Sequence, residues 1–325
     1  MMVTAWGRLR MAWSENPKGK MVMARYEGIR RREFLQMGAA AAGAALVGAG
    51  ISPAPAAEKV RCSSPTAARL GWRVGVAQYT FRRFSLFEML DMLVQLGVEY
   101  VELGFFLPLD KARPNLQSNQ KLPPAVRKEL KQRLADRGLA MSGFYADLKA
   151  DQDEARQIFE FCKEMGAGTV IAEPPPEAFD MIEKLCDEYG IDVAIHNHPE
   201  SPHSRYWRPE NVLAVCKGRS KRIGACCDTG HWVRSGLDPV ECLKKLEGRI
   251  RGFHLKDVAE KGNRQSRDVP LGQGAGNYAA VMAEIKRQGY RGVTAIEYEH
   301  DSPELMGDVA KCVAFLEKMA KKLST

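Results

Sequence analysis

Four apolar runs of this chain end in residues that bind cations or move protons. They are Val193-Ala-Ile-His-Asn-His198, Ile223-Gly-Ala-Cys-Cys-Asp-Thr-Gly-His231, Gly252-Phe-His-Leu-Lys-Asp257 and Thr294-Ala-Ile-Glu-Tyr-Glu299. Carboxylates and imidazoles cannot satisfy themselves in an apolar core, so strand ends that carry them mark a place where something binds. Side chains alternate along a strand, so His196 and His198 share a face, as do His254 and Lys256, and Glu297 and Glu299. The inward residue nearest each end is then His196, Asp228, His254 and Glu297. Two imidazoles and two carboxylates suit one divalent ion of the Mn²⁺, Zn²⁺, Co²⁺ or Fe²⁺ kind better than Ca²⁺. Ligands this far apart in sequence have no spacing signature, and a hydrogen-bonded polar set without a metal stays open.

Eight β-rich runs position these residues: Arg73 to Thr80, Tyr100 to Phe105, Ala140 to Tyr145, Thr169 to Glu173, Asp192 to His196, Ile223 to Asp228, Arg251 to Lys256 and Gly292 to Tyr298. Between them lie helical patterns near Leu86 to Leu96, Pro124 to Arg137, Gln152 to Met165, Glu177 to Tyr189, Pro209 to Lys217, Pro239 to Leu246, Tyr278 to Gln288 and Pro303 to Lys322. Ser85, Asp151, Asp238 and Ser302 read as helix entries, and Pro124, Pro209, Pro239 and Pro303 as first-turn prolines. Eight βα units without a GxGxxG opening predict a closed (β/α)₈ TIM barrel, whose chemistry sits at the carboxyl ends of its strands. The longer loops Leu107 to Lys121, Ser201 to Trp207 and Val258 to Gly276 would then form a rim on one face. The glycine-rich Pro270 to Asn277 could offer its amides to a phosphate or to hydroxyls.

Ahead of the barrel, Arg30-Arg-Arg-Glu-Phe-Leu35 precedes an Ala/Gly-rich apolar run to Ile51 and then Ser52-Pro-Ala-Pro-Ala-Ala57. A basic region, a short apolar region and a small-residue cleavage site form the layout of an export signal, and Arg31-Arg32 with Phe34-Leu35 resembles the twin-arginine type. The expected organisation is a signal over 1–57, a linker over 58–70 and one barrel over 71–325. It describes a periplasmic or otherwise extracytoplasmic protein with no stable membrane insertion after processing; an uncleaved anchor is the alternative. The chain of 325 residues carries a formal charge of +8, but 1–56 hold eight basic and three acidic residues, so the remainder stands at +3. That balance gives no reason to invoke nucleic acid. Cys162, Cys186, Cys216, Cys242 and Cys312 fall in helical patterns and Cys226-Cys227 in a strand, so most are expected to be free, buried thiols. Association into a homo-oligomer stays open.

The motifs HNH at 196–198, DTGH at 228–231, HLKD at 254–257 and IEYE at 296–299 resemble the sugar phosphate isomerase/epimerase family of xylose isomerase-like barrels. The resemblance covers Trp72 to Leu323. It implies that Asp228, His254 and Glu297 bind metal, that His231 contacts substrate, and that Glu297 is also the acid or base. In that family the fifth strand usually ends in a second glutamate, where this chain has His196. Glu173 is the nearest replacement carboxylate, so Glu297, His196 and Glu173 are the expected catalytic groups. His198, Lys256, Arg234 and Trp232 are candidates to contact a small carbohydrate, Glu102 is a salt-bridge or substrate partner, and Asp257 orients Lys256 or is solvated. The implied activity is isomerisation or epimerisation through a metal-stabilised enediolate. Elimination from a keto-sugar or keto-glycoside in the same site and a non-catalytic sugar-binding barrel are the alternatives. A three-metal phosphodiesterase of the endonuclease IV kind fits less well, because the first three strands contain no histidine.

Overall fold

The computed structural model describes residues 62–325, together with a two-residue strand pair, Ser14–Glu15 against Met21–Val22. The export-signal layout over Arg30 to Ala57 lies outside the described residues. The stretch expected as a linker is, in its last part, folded: Pro65–Arg69 is a short helix with Thr66 and Ala67 buried. Glu317, from the last helix, accepts hydrogen bonds from Thr66 N at 2.8 Å, Thr66 Oγ1 at 2.6 Å and Ala67 N at 3.1 Å. The carboxylate thus supplies the acceptor that the amides at this helix start lack.

Eight parallel strands close into a barrel. They are β1 Trp72–Ala77, β2 Tyr100–Gly104, β3 Ala140–Tyr145, β4 Thr169–Ala172, β5 Asp192–His196, β6 Ile223–Asp228, β7 Ile250–Leu255 and β8 Gly292–Ile296, with β8 paired to both β7 and β1. The helices between and after them are α1 Leu86–Leu96, α2 Pro124–Asp136, α3 Gln152–Met165, α4 Phe179–Tyr189, α5 Pro209–Cys216, α6 Pro239–Lys245, α7 Tyr278–Arg287 and α8 Leu305–Ser324. The expected caps hold at α3, where Asp151 accepts from Glu154 N at 2.9 Å, and at α6, where Asp238 accepts from Val240 N at 2.8 Å. At α8 they do not. Ser302 Oγ accepts from Glu304 N, and the helix starts at Leu305, past Pro303.

Strands β1 and β8 stop two or more residues before the ends of their β-rich runs for one shared reason. After Ala77 the chain turns through a 3₁₀ segment, Gln78–Phe81, and Thr80 Oγ1 then donates to Ile296 O at 3.3 Å and accepts from Tyr298 N at 3.0 Å. A side-chain hydroxyl takes over where the ladder would continue, so Glu297 to Glu299 leave the sheet at the barrel mouth. Inside the barrel, Ile171, Ala194 and Cys226 form a small apolar plug below Tyr145. Ala194 and Cys226 lie two residues before His196 and Asp228, so the alternation turns both of these side chains inward as well. The larger core lies between strands and helices. All eight cysteines are free, seven of them buried. No helix among the described residues is long and apolar enough to cross a membrane.

Candidate metal centre and active site

Asp228 ends β6 and caps the short helix Thr229–Arg234: its Oδ1 accepts from His231 N at 2.8 Å. Its Oδ2 makes no well-aligned hydrogen bond and faces the mouth. Around it stand Lys256 Nζ at 3.0 Å, His196 Nε2 and His231 Nε2 at 3.6 Å, and His254 Nδ1 at 4.0 Å. Burial alone would keep this acid protonated, but its cationic surroundings, with the Lys256 ammonium 3.0 Å away, hold it well below the usual carboxylate range.

His254, from β7, is held from behind. Its Nε2 lies 2.8 Å from Glu102 Oε1, and its Nδ1 lies 3.1 Å from Glu297 Oε2. A proton on Nε2 donated to Glu102 leaves the Nδ1 lone pair facing the mouth, the usual arrangement behind a metal-binding imidazole. Burial disfavours a charged ring, yet Glu102 and Glu297 outweigh it and raise His254 well above its ordinary value; a cation at Nδ1 would replace that second proton. Glu102 is thus paired with His254, the salt-bridge half of what was expected of it.

His231 is arranged the other way round. His196, Asp228, His231 and Glu297 offer donor atoms within 4.8 Å of one another, so distance alone admits His231 as a ligand. Its Nδ1, however, lies 3.1 Å from Arg234 Nη1, which can only donate. Lys256 Nζ, 3.4 Å from Nε2, can likewise only donate, and burial, against the pull of Asp228, keeps the imidazole neutral. His231 thus faces a cationic donor at each ring nitrogen, whereas His254 has only carboxylates around it, which makes His254 the better candidate for a fourth ligand.

Lys256 was expected at the rim. Instead it is buried, its ammonium 2.8 Å from Glu297 Oε2, 3.0 Å from Asp228 Oδ2 and 3.1 Å from Glu299 Oε1. Burial works against its charge, and the three carboxylates more than offset it. The stem fits because residue 230 is glycine: a Cβ there would come within 2.5 Å of Lys256 Cγ. This explains the glycine of DTGH and the lysine of HLKD together.

On the β4 and β5 side, Glu173 Oε1 accepts from Tyr145 OH at 2.8 Å, pairs with His198 Nδ1 at 2.7 Å, and faces His196 Nδ1 at 3.6 Å. Burial opposes its charge, but His196 and His198 keep Glu173 ionised well below the usual range. Both ring nitrogens of buried His196 lack a hydrogen-bond partner. Tyr145 was not foreseen, although it ends β3 at the height where the other strands carry their chemistry.

Three expectations are corrected. Trp232 lies in the hydrophobic core, 1 % exposed, because it is turned about 100° around a helix from inward-facing His231. Arg234 does not reach for a sugar; its guanidinium pairs with Asp268 and, at 2.8 Å, with Glu299. The glycine-rich loop binds no phosphate with its amides, since Gly272, Gly274 and Gly276 donate to Asp257 at 2.9, 2.9 and 3.0 Å. Asp257 is thus a buried anchor for the loop. A Cβ at residue 274 would lie 2.3 Å from Val258 O, which explains that glycine.

The donor set fits a divalent ion. His196 Nε2, Asp228 Oδ2, His254 Nδ1 and Glu297 Oε2 come from four strands, and the separations among them include 3.1, 3.6 and 4.0 Å. Donors about 2.0–2.2 Å from a shared cation stand roughly 3–4 Å apart. A family model described as xylose isomerase-like TIM barrel matches residues 90–319.

The chain belongs to the xylose isomerase-like TIM barrel family. Among solved structures, an uncharacterized protein from Parabacteroides distasonis is 35% identical with a TM-score of 0.61, covering 76% of this chain and 99% of that one. A D-tagatose 3-epimerase-like protein superposes with a TM-score of 0.62 at 20% identity, over 78% of this chain and 98% of that one, which shows the shared fold. The inosose dehydratase of Clostridium botulinum is 34% identical over 132 residues, 36% of this chain and 44% of that protein. The chain spans less than half the length of the curated relatives it matches.

Proposed function

We propose that this xylose isomerase-like barrel is a divalent-metal-dependent isomerase or epimerase of a sugar or sugar derivative, working by proton transfer at a carbon next to a carbonyl. The observation that carries this reading is the meeting of four buried donors, His196 Nε2, Asp228 Oδ2, His254 Nδ1 and Glu297 Oε2, at the barrel mouth. These would hold the ion, which supplies Lewis-acid polarisation of neighbouring carbonyl and hydroxyl oxygens. Glu297 Oε2 is tied to His254 and Lys256, while Oε1 bonds to no described residue and is left to take the proton. Lys256 stays beside it to balance the changing charge. Glu173, bonded to Tyr145 and paired with His198 on the β4 and β5 side, stands to return the proton, since His196 keeps only Nδ1, which is turned to Glu173.

A second reading, elimination of water or of a glycosidic oxygen, is supported by the match to inosose dehydratases. Both chemistries begin with the same proton, so one experiment serves both. Metal-loaded protein incubated with keto-sugars in D₂O should incorporate deuterium at the carbon beside the carbonyl. Glu297→Gln should lower that exchange by about 10²–10⁴-fold with fold and metal content retained. Full exchange in the variant, or none in the native protein, sinks the reading; the latter would leave a non-catalytic sugar-binding barrel. The Arg31-Arg32 layout supports an extracytoplasmic place for this activity, testable with a reporter fused to residues 1–57.

A further inference from the structure

The β1–β3 side of the mouth carries an aromatic file that the proton transfer leaves unused. Tyr145 lies 6.3 Å from His254 with planes 24° apart, and edge-on to His196 at 5.4 Å. Phe105, the residue after β2, stacks parallel to Tyr145 at 6.5 Å. Phe106 meets Phe105 edge-on at 4.9 Å, and Tyr79 meets Phe106 at 5.8 Å. The file therefore runs from the candidate ligands outward. It ends in Phe106, 38 % exposed, the one large hydrophobic side chain exposed among the described residues.

The presentation is rigid. Phe105 N donates to Tyr145 O at 3.0 Å, Asn119 Nδ2 donates to Phe105 O at 2.7 Å, and Gln117 Nε2 donates to Phe106 O at 3.3 Å. Polar groups flank the rings. The Arg82 guanidinium lies 5.0 Å over Tyr79, with Nη2 on Glu299 O and Asp301 and a buried Nη1 that has no partner. One exposed ring among polar neighbours is too narrow for a protein or lipid surface, which needs a contiguous apolar patch of several hundred Å². It suits a pyranose, whose C–H face lies on an aromatic ring while its edge hydroxyls meet planar polar side chains.

We propose that Tyr79, Phe105 and Phe106, with Arg82, form an outer subsite for a second sugar ring, so that the substrate is a glycoside of at least two rings. This rests on the sugar reading above: the reacting ring occupies the centre, and its neighbour lies on the file. Two centroid steps, of 6.3 and 6.5 Å, already carry the file past a single ring held among the candidate ligands.

Calorimetry on the metal-loaded full chain tests this with cellobiose, glucose and phenyl glucoside. Cellobiose should bind more tightly than glucose. Phe106→Ala should weaken cellobiose about tenfold more than glucose, and Phe106→Tyr should restore the difference. Equal binding of the two sugars, an equal loss for both, or no binding of either overturns the outer subsite. Phenyl glucoside binding more tightly than cellobiose overturns the sugar occupant. Because binding needs no proton transfer, a retained ring preference with Glu297-independent exchange condemns only the chemistry, and the converse condemns only the subsite.

Discussion

Replacing Glu102 separates a positioning carboxylate from a substrate contact. Its Oε1 lies 2.8 Å from His254 Nε2, with side chains 5 % and 0 % exposed, so neither has water to fall back on. In Glu102→Gln the amide oxygen still accepts the Nε2 proton, the ring keeps its orientation, and only the charge behind it is lost. The dissociation constant for Mn²⁺ or Zn²⁺ should rise about tenfold, about 1.4 kcal/mol. Glu102→Ala also leaves the imidazole N–H unpaired and lets the proton move to Nδ1, the atom needed for the metal. That should cost about a hundredfold, about 2.7 kcal/mol. The assay is competition with a chromophoric chelator on metal-stripped protein at fixed pH, with circular dichroism to confirm folding. If Glu102 touched the sugar instead, KM would rise at saturating metal and metal affinity would stay put. A Glu102→Ala protein binding metal within twofold of the native affinity refutes the carboxylate–imidazole–cation reasoning.

Gly274→Ala forces a methyl to 2.4 Å from Asp257 Oδ1 and should cost about 2–4 kcal/mol, lowering the melting temperature by roughly 5–15 °C; an unchanged midpoint would show that the loop is not held by Asp257. Asp268 is buried, which outweighs Lys256 and Arg234 and pushes it up to about 7. The folded state thus holds this proton more tightly than the unfolded chain, where the acid titrates near 3.9, so its contribution is full below that value and is lost as pH rises through about 7. Asp268→Asn should flatten the fall in thermal stability between those limits, and a melting-temperature slope identical to that of the native protein contradicts it. Metal at a hundred times its dissociation constant should stabilise the fold by about 2.7 kcal/mol, so a chelator should lower the midpoint by roughly 5–10 °C. Coincident melts with and without chelator would mean that no ion binds the native state.

The barrel and the inward facing of its candidate ligands are legible in the sequence because both follow from local rules. Alternation within Asp192–His196 and Ile223–Asp228 decides which side chains face inward, and eight βα units decide where those ends meet. What escapes a linear reading is set by partners far away in the chain. Lys256 looks like a rim residue until Asp228, Glu297 and Glu299 are seen to surround it. Glu102 and His254 are 152 positions apart, and nothing near either one announces the pair. The glycine-rich loop carries the residues of an anion nest, but its anion is the chain's own Asp257. Trp232 is a different case. Once Asp228 is seen to cap a helix, the rotation that hides Trp232 follows.

Closure by β8 against β1 has a consequence for how the molecule comes into being. A ribosome releases Trp72 long before Gly292, so β1 lacks its second neighbour for most of translation, and both margins of the growing sheet stay open. Glu297 follows directly on the strand that seals the cylinder, and Glu317 then fastens the far end of the chain to Thr66 and Ala67. Messages cut short before codon 292 therefore yield an unsealed sheet prone to pair with its own kind.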